Sequence, residues 1–185
     1  MPNDVSYLLR LAQLSDAAAL GALHNRVWQA TYAKVAPAEA IARLDEAHRV
    51  ASWKQALSTN SEREETLVAE QNGLPVGMIS AGQPRGPCFG PAGEIMHFYV
   101  DLDAQGRGLG QLMLRHGIEM VEWAGYPSAA LSVVEQNLRA RRFYARMGGV
   151  EGQVFTDPGP LWKSTNILVH LPPSCELPCL GQGTP

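Results

Sequence analysis

Residues 94–124 read EIMHFYVDLDAQGRGLGQLMLRHGIEMVEWA and fall into three segments. Ile95 to Val100 is an apolar and aromatic run without Gly or Pro, which predicts a buried strand. A glycine-rich turn follows from Gln105 to Gly110. Residues then recur at steps of three and four, which predicts a helix with one face on a core: Leu109, Leu112, Met113, His116, Met120 and Ala124. A strand, a glycine turn and a helix start in this order are typical of an anion-binding site.

The start of the predicted helix offers groups that a phosphate can bind. Its first backbone N–H groups have no partner inside the helix, and the helix dipole points its positive end at them. Gly106, Gly108 and Gly110 carry no Cβ, so a phosphate could approach the main chain closely. A dinucleotide loop would need glycine where the chain has Gln111, and a Walker loop would need a G-K-[ST] tripeptide, which the chain lacks. The pattern that fits is [QR]-x-x-G-x-[GA], beginning at Gln105.

A second motif runs from Asn137 to Gly148 and reads NLRARRFYARMG. Asn137 is a good helix cap, and Ala140, Phe143 and Tyr144 fall on one helical face. Taken alone, this motif predicts only a capped amphipathic helix. Together, the two motifs resemble those of the GNAT N-acetyltransferase superfamily, which carries N-x-x-A-x-x-F-Y-x-x-x-G after its glycine loop. Gly149 departs from that pattern, because the family usually has an aromatic or aliphatic residue there.

The predicted elements follow the order β-α-α-β-β-β-α-β-α-β-β, in which one long helical region covers residues 38–57 and the last strand covers 162–171. This order predicts an α/β (α+β) fold, with a mixed central sheet of about six to seven strands and helices on both faces. It is also the element order of the GNAT fold. We expect residues 1–171 to form a single acetyltransferase domain and the Pro/Gly-rich residues 172–185 to form a tail without stable structure.

Composition excludes several classes of function. The chain has 185 residues, 45% hydrophobic and 18% charged, with a net charge of −3, which argues against nucleic-acid binding. No apolar run is long enough to cross a membrane, and the N-terminus does not read as a secretion signal. The three cysteines form neither a disulfide framework nor a metal site. We therefore predict a cytoplasmic protein without a metal.

The resemblance implies that acetyl-CoA is the cosubstrate. Its pantetheine would pair with the end of the central strand, where the backbone N–H of Val100 would polarise the thioester carbonyl. Its pyrophosphate would bind the N–H groups of the glycine loop, and Arg107 could add charge. The residues expected to contact acetyl-CoA are Tyr99, Val100, Leu102, Gln105, Gly106, Arg107, Gly108, Leu109, Gly110, Gln111, Asn137 and Tyr144.

Acyl transfer to an amine also needs a base, an acid and an acceptor pocket. Glu94, at the start of the central strand, is the candidate general base, and Glu135 at the end of the next strand is the reserve candidate. His97 could titrate, but a lone strand histidine is more often a packed residue. By resemblance, Tyr144 would be the general acid that serves the leaving thiolate. The expected acceptor site is formed by Trp28, Tyr32, Glu94 and Glu135, whereas Trp53 lies either there or in the core.

Three hypotheses remain at this point. The first is an acetyl-CoA-dependent N-acetyltransferase acting by direct attack of a primary amine from a small molecule or a peptide. The second is a non-catalytic CoA-binding regulatory module with the same fold. The third is an unrelated α/β nucleotide-binding protein, which the absence of both phosphate motifs disfavours. The resemblance also makes a homodimer an expectation.

Overall fold

A computed structural model of the chain describes residues 6–59, 64–159 and 161–179. Seven strands form one mixed sheet in the order β1-β2-β3-β4-β5-β7-β6, with β4 and β5 parallel and the other neighbours antiparallel. The strands are β1 (Leu8–Leu11), β2 (Glu64–Gln71), β3 (Leu74–Gly82), β4 (Gly93–Val100), β5 (Ala129–Val134), β6 (Val150–Thr156) and β7 (Thr165–Leu171). The helices are α1 (Ala17–Tyr32), α2 (Ala38–Arg43), α3 (Glu46–Ser58), α4 (Leu109–Trp123) and α5 (Leu138–Arg146). The predicted mixed sheet is therefore confirmed.

The sheet carries a core on each of its two faces. Successive strand residues point to opposite faces, so Met78 packs in the cluster that contains α1 and α3 residues, while Ile79 packs in the cluster around α4. Gly117 of α4 lets that helix approach closely, since a Cβ there would lie 2.4 Å from the Cδ1 of Ile79. The expected helices on both faces are present.

Strands β4 and β5 separate after a short parallel contact. Three residue pairs join them: Gly93 with Ala129, Glu94 with Ala130, and Ile95 with Leu131. Beyond this contact β4 runs on to Val100 and β5 to Val134 without pairing to each other. The C-terminal half of β4 therefore has an open edge in the middle of the sheet, which normally has paired strands on both sides.

Two predicted helical patterns are corrected by the structure. The region 38–57 is not one helix: Leu44 leaves helical geometry at φ −90° and ψ 45°, and Asp45 begins α3 by accepting a hydrogen bond from the backbone of His48 at 2.9 Å. The sequence pattern puts Leu44, His48, Ala51 and Leu57 on the inner side of this region, with Trp53 near that face. The structure buries Trp53 and leaves His48 and Ala51 exposed. In α4 the buried residues are Leu109, Met113, Leu114, Gly117, Ile118, Met120 and Val121, so the predicted stripe was only partly right.

The segment after β7 is docked on α4, so the expectation of a tail without stable structure is wrong for residues 172–179. Arg115 donates hydrogen bonds to the carbonyls of Ser174 at 2.6 Å and Pro178 at 3.2 Å. Glu122 accepts from the backbone and hydroxyl of Ser174 at 2.9 and 2.7 Å. Leu177 is buried in the core around α4. Residues 180–185 of the predicted tail lie outside the described residues.

We expect Leu177→Ala to lower the free energy of unfolding by about 2 to 3 kcal/mol, because it removes a buried side chain and leaves a cavity. Urea unfolding of the full chain measures the change as a lower midpoint at constant slope. Glu176→Ala is the matched control: Glu176 is exposed, and its loss should change stability by no more than about 0.5 kcal/mol. Equal midpoints for Leu177→Ala and the wild type would contradict the docking.

Candidate active site

The glycine turn between β4 and α4 has the geometry of an anion cradle. Gly106 and Gly108 have φ of +77° and +83°, in the left-handed region that favours glycine, and a Cβ on either would meet nothing within 4 Å. The first bond of α4 runs from the N–H of Leu112 to the carbonyl of Gly108 at 3.1 Å. No side chain in the described residues caps this helix end, so the N–H groups of 109–111 lack a partner inside the helix. The turn therefore fits the pyrophosphate of a CoA molecule.

The open edge of β4 presents backbone donors beside this turn. The N–H of Asp101 points to β3, where it donates to the carbonyl of Val76 at 2.8 Å. Because direction alternates along an antiparallel strand, the N–H groups of Phe98 and Val100 point the other way, into the gap between β4 and β5. Gln105 joins the strand end to the turn by donating from Nε2 to the carbonyl of Val100 at 2.8 Å.

Helix α5 contributes Asn137 and Tyr144 to the same region. The Oδ1 of Asn137 accepts from the N–H of Ala140 at 3.1 Å, which confirms the predicted cap, and its Nδ2 donates to the Tyr32 hydroxyl at 3.0 Å. Tyr144 is buried, with its ring centroid 6.5 Å from that of Phe98. Burial raises the pKa of the Tyr144 hydroxyl, and within the described ranges this hydroxyl has no hydrogen-bond partner. It is a protonated donor that a ligand could use.

Gly149, the departure from the family pattern, has a packing reason. Its N–H donates to the carbonyl of Tyr144 at 2.8 Å, and a Cβ at this position would lie 2.9 Å from that same oxygen. Gly148 ends α5 with φ of +82°. The glycine pair therefore fixes the end of the helix that carries Tyr144.

Glu94 is a buried carboxylate, with 8% of its surface exposed. Its Oε2 accepts from the backbone N–H of Arg85 at 2.7 Å. Burial raises the pKa of Glu94, and the hydrogen bond and charge of Arg85 oppose that rise without cancelling it. Glu94 lies on the same sheet face as His97 and Tyr99, but about 20 Å of extended strand separates it from Val100.

Three aromatic side chains pack against one another, and we call them the aromatic cluster: Trp28, Tyr32 and Trp162. The Trp28 ring lies 5.6 Å from the Tyr32 ring and 6.0 Å from the Trp162 ring, and Tyr32 and Trp162 are 5.3 Å apart. The sequence predicts Trp28 and Tyr32 as acceptor-site residues but puts Trp162 in the last strand, which in fact begins at Thr165. Trp162 lies in the connection between β6 and β7. The only feature of the sequence that could have indicated this role is that Trp162 is an isolated Trp in a connection that contains Pro and Gly.

Two histidines, His24 on α1 and His97 on β4, pack with each other and with Trp53. Trp53 is buried and donates from Nε1 to the Nδ1 of His24 at 3.3 Å, so it is a core residue. Its ring is 5.2 Å from that of His97. Burial lowers the pKa of His24 to about 2 and that of His97 to about 3. Both imidazoles are therefore neutral at physiological pH, and neither has the pKa of a general base.

Three predicted site residues are exposed to solvent, and the side chain of a fourth is bonded elsewhere in the fold. Glu135 is exposed, and its carbonyl accepts from Arg141, which forms an ion pair with Glu151 at 2.7 Å. Leu102 and Arg107 are exposed beside the turn. The side chain of Gln111 donates to the carbonyl of Pro178 at 2.6 Å, so only its backbone is free for a ligand.

The described residues contain no group of three or more His, Cys, Asp or Glu side chains placed to hold a metal ion. None of the helices in those ranges is both long and apolar enough to span a bilayer.

Comparison with known proteins identifies the family. YuaI of Bacillus subtilis (strain 168), described as an uncharacterized N-acetyltransferase, is 26% identical over 129 residues, which are 70% of this chain and 72% of YuaI. The fold matches YncA from Salmonella typhimurium, crystallised with acetyl-CoA (TM-score 0.65, 20% identity, 96% of this chain and 99% of YncA). It also matches the PaiA N-acetyltransferase of Thermoplasma acidophilum in complex with coenzyme A (TM-score 0.65, 18% identity, 88% and 98%). The model of the acetyltransferase (GNAT) family matches residues 23–149, and the chain belongs to that family.

Proposed function

We propose that this protein transfers the acetyl group of acetyl-CoA to a primary amine of a small molecule or peptide, by direct attack of the amine. The observation that carries this proposal is the open edge of β4 running into an uncapped, glycine-lined start of α4. The crystallised relatives that contain CoA or acetyl-CoA support it. The buried carboxylate of Glu94 favours an enzyme over a non-catalytic CoA-binding module.

The chain's own groups suggest where acetyl-CoA would lie. The backbone N–H groups of residues 109–111 would hold its pyrophosphate, and those of Phe98 and Val100 would pair with pantetheine and the thioester. Tyr144 packs beside Phe98, so we assign the thioester carbonyl to the N–H of Phe98 and a pantetheine amide to Val100. The sequence alone suggested Val100 for the carbonyl. When bound, acetyl-CoA supplies an acetyl group activated as a thioester.

The acceptor amine would bind on the sheet face that carries Glu94, beside the aromatic cluster of Trp28, Tyr32 and Trp162. Glu94 would take the proton of the ammonium, and the length of strand between Glu94 and Phe98 implies that water carries it. Tyr144 would donate its hydroxyl hydrogen bond to the leaving sulfur. Because burial raises the pKa of Tyr144, we propose that it donates a hydrogen bond to the thiolate without losing its proton.

Gly110→Asp tests the anion cradle without straining the backbone. Gly110 is helical, and a Cβ there would make only an ordinary 3.6 Å contact with Phe143. A carboxylate in the first turn suits the helix dipole but repels a pyrophosphate. We expect the variant to melt at or above the wild-type temperature and to lose the stabilisation by acetyl-CoA, which reaches about 2.7 kcal/mol when the ligand is about 100 times Kd.

Gly110→Ala is the matched control, since it adds the Cβ without the charge. It should keep at least half of the wild-type thermal shift with acetyl-CoA. An unchanged shift in Gly110→Asp would mean that the pyrophosphate binds elsewhere on the chain.

We further infer a reducing, cytoplasmic setting. Its support is chemical: Cys88, Cys175 and Cys179 are all free thiols. The homodimer implied by the family resemblance stays a prediction.

A further inference from the structure

Arg49 is a cation that the fold partly buries without giving it an anion. It lies on α3 four residues before Trp53, so both side chains extend from the face of α3 that meets the sheet. Its Nε is shielded from solvent and has no hydrogen-bond partner. Throughout residues 6–59, 64–159 and 161–179, no carboxylate forms an ion pair with it. Its guanidinium carbon lies 5.3 Å from the centre of the Trp28 ring.

A half-buried charge without a counter-ion is unfavourable for the protein alone. Burial lowers the pKa of Arg49, although a guanidinium keeps its proton at any physiological pH. The contact with the Trp28 ring compensates only in part. Two other arginines do have carboxylate partners: Arg26 pairs with Asp101, and Arg85 pairs with Glu64 at 3.3 Å. Arg49 differs from both because no carboxylate of the described residues pairs with it.

The position of Arg49 relates this missing anion to the proposed acceptor site. Trp28, which the guanidinium contacts, is also a member of the aromatic cluster. The charge of Arg49 helps to lower the pKa of His97 on the sheet face below. The charge of Arg85 acts on the same histidine, and the backbone of Arg85 holds Glu94. This face of the sheet thus carries a bare cation on its α3 side and a carboxylate at Glu94.

We propose that Arg49 binds a carboxylate of the acceptor, so that the acceptor is an amine that carries a carboxylate, as a free amino acid does. This inference rests on the proposed acetyl transfer. A guanidinium offers a planar fork of N–H donors that matches a carboxylate, while Glu94 would take the ammonium proton of the same molecule through water. The ligand carboxylate would form the ion pair that Arg49 does not form with any carboxylate of the described residues. The rings of Trp28, Tyr32 and Trp162 suit an apolar side chain on the same ligand.

The test measures thiol release from acetyl-CoA with three matched sets of probes: the twenty protein L-amino acids, their C-terminal amides and their decarboxylated amines. We expect the wild type to prefer at least one amino acid over its amide by about 10- to 100-fold in kcat/KM, since a hydrogen bond to a charged group is worth that much. In Arg49→Gln the KM for that amino acid should rise by about the same factor. The rate with the amide should stay unchanged.

Two further variants serve as controls for the effect of Arg49→Gln. Arg49→Lys keeps the charge but loses the fork, and it should retain part of the preference. Arg43→Gln removes an exposed arginine of α2 and should match the wild type in every assay. Without ligand, Arg49→Gln should melt no lower than the wild type, because it removes an unpaired charge, and this separates lost binding from lost folding.

Several results would overturn the inference and leave the proposed transfer standing. The first two are equal or faster turnover of the amides, and a preference for the amino acid over its amide that Arg49→Gln retains. The other two are turnover of peptide N-termini alone, and a preference for O-phosphoethanolamine over every amino acid. If no amine releases thiol, the proposed transfer itself fails. Calorimetry then decides the inference: an amino acid must bind the CoA-loaded wild type and not Arg49→Gln, and the absence of binding overturns it.

Discussion

Tyr144→Phe is expected to lower kcat about 10²- to 10³-fold while the affinity for acetyl-CoA and the melting temperature stay near wild type. The ring is buried against Phe98 and Phe143, and Phe keeps that packing. Only the hydroxyl is lost, and it has no protein partner to leave unpaired in the described part of the chain. Because charge builds on the sulfur as the thiolate leaves, the missing donor raises the energy of the transition state more than that of the bound substrates.

Steady-state kinetics beside a calorimetric titration with acetyl-CoA measure this split. The raised pKa of Tyr144 adds a second criterion: the wild-type rate should show no loss from Tyr144 ionisation below about pH 10, the ordinary value for a phenol. Tyr126→Phe is the matched control, because that tyrosine packs near Gly93 at the other end of β4. Wild-type turnover in Tyr144→Phe would make Tyr144 a packing residue.

Local patterns were enough to predict the parts of the site that the backbone builds. The left-handed φ of Gly106 and Gly108 requires glycine, and Asn137 caps α5 through atoms of its own turn. Such features depend on neighbours in the sequence, so a single chain reveals them. The strand, turn and helix around these residues were also predicted from the sequence, with only small errors at the ends of the strand and the helix.

The acceptor side could not be predicted in the same way, because its residues meet only through tertiary packing. Trp162 contacts Trp28 from a connection more than a hundred positions away, and Arg49 had no local feature to distinguish it from other helix arginines. The prediction that residues 172–179 lack stable structure was wrong for the same reason. Pro and Gly suggested disorder, whereas the carbonyls that bind Arg115 and the buried Leu177 are visible only in three dimensions.

Glu94→Gln is expected to lower kcat/KM by about 10²- to 10⁴-fold at neutral pH, since it removes the proposed base and keeps the shape of the side chain. The Gln carbonyl can still accept the hydrogen bond that the N–H of Arg85 now gives to Glu94 at 2.7 Å. At high pH the acceptor amine is already neutral, so the loss should shrink there. A full pH profile with saturating acetyl-CoA checks both statements.

Stability should move in the opposite direction to activity. Burial raises the pKa of Glu94 in the folded state above the value of about 4.3 expected in the unfolded chain. Between these two values the folded state binds more protons than the unfolded state, so the wild type loses stability as pH rises through this window. Gln carries no charge to bury. Glu94→Gln should therefore be more stable than the wild type at pH 7, and the difference should vanish below about pH 4.

Two carboxylate variants make this result specific. Glu65→Gln changes an exposed carboxylate on β2 and should leave both the rate and the stability unchanged. Glu135→Gln tests the reserve base, which the fold leaves exposed beside Arg141. If Glu135→Gln loses the rate and Glu94→Gln does not, the base lies at the end of β5. If Glu94→Gln gains stability at pH 7 but keeps its turnover across the pH range, Glu94 is a buried carboxylate without a role in proton transfer.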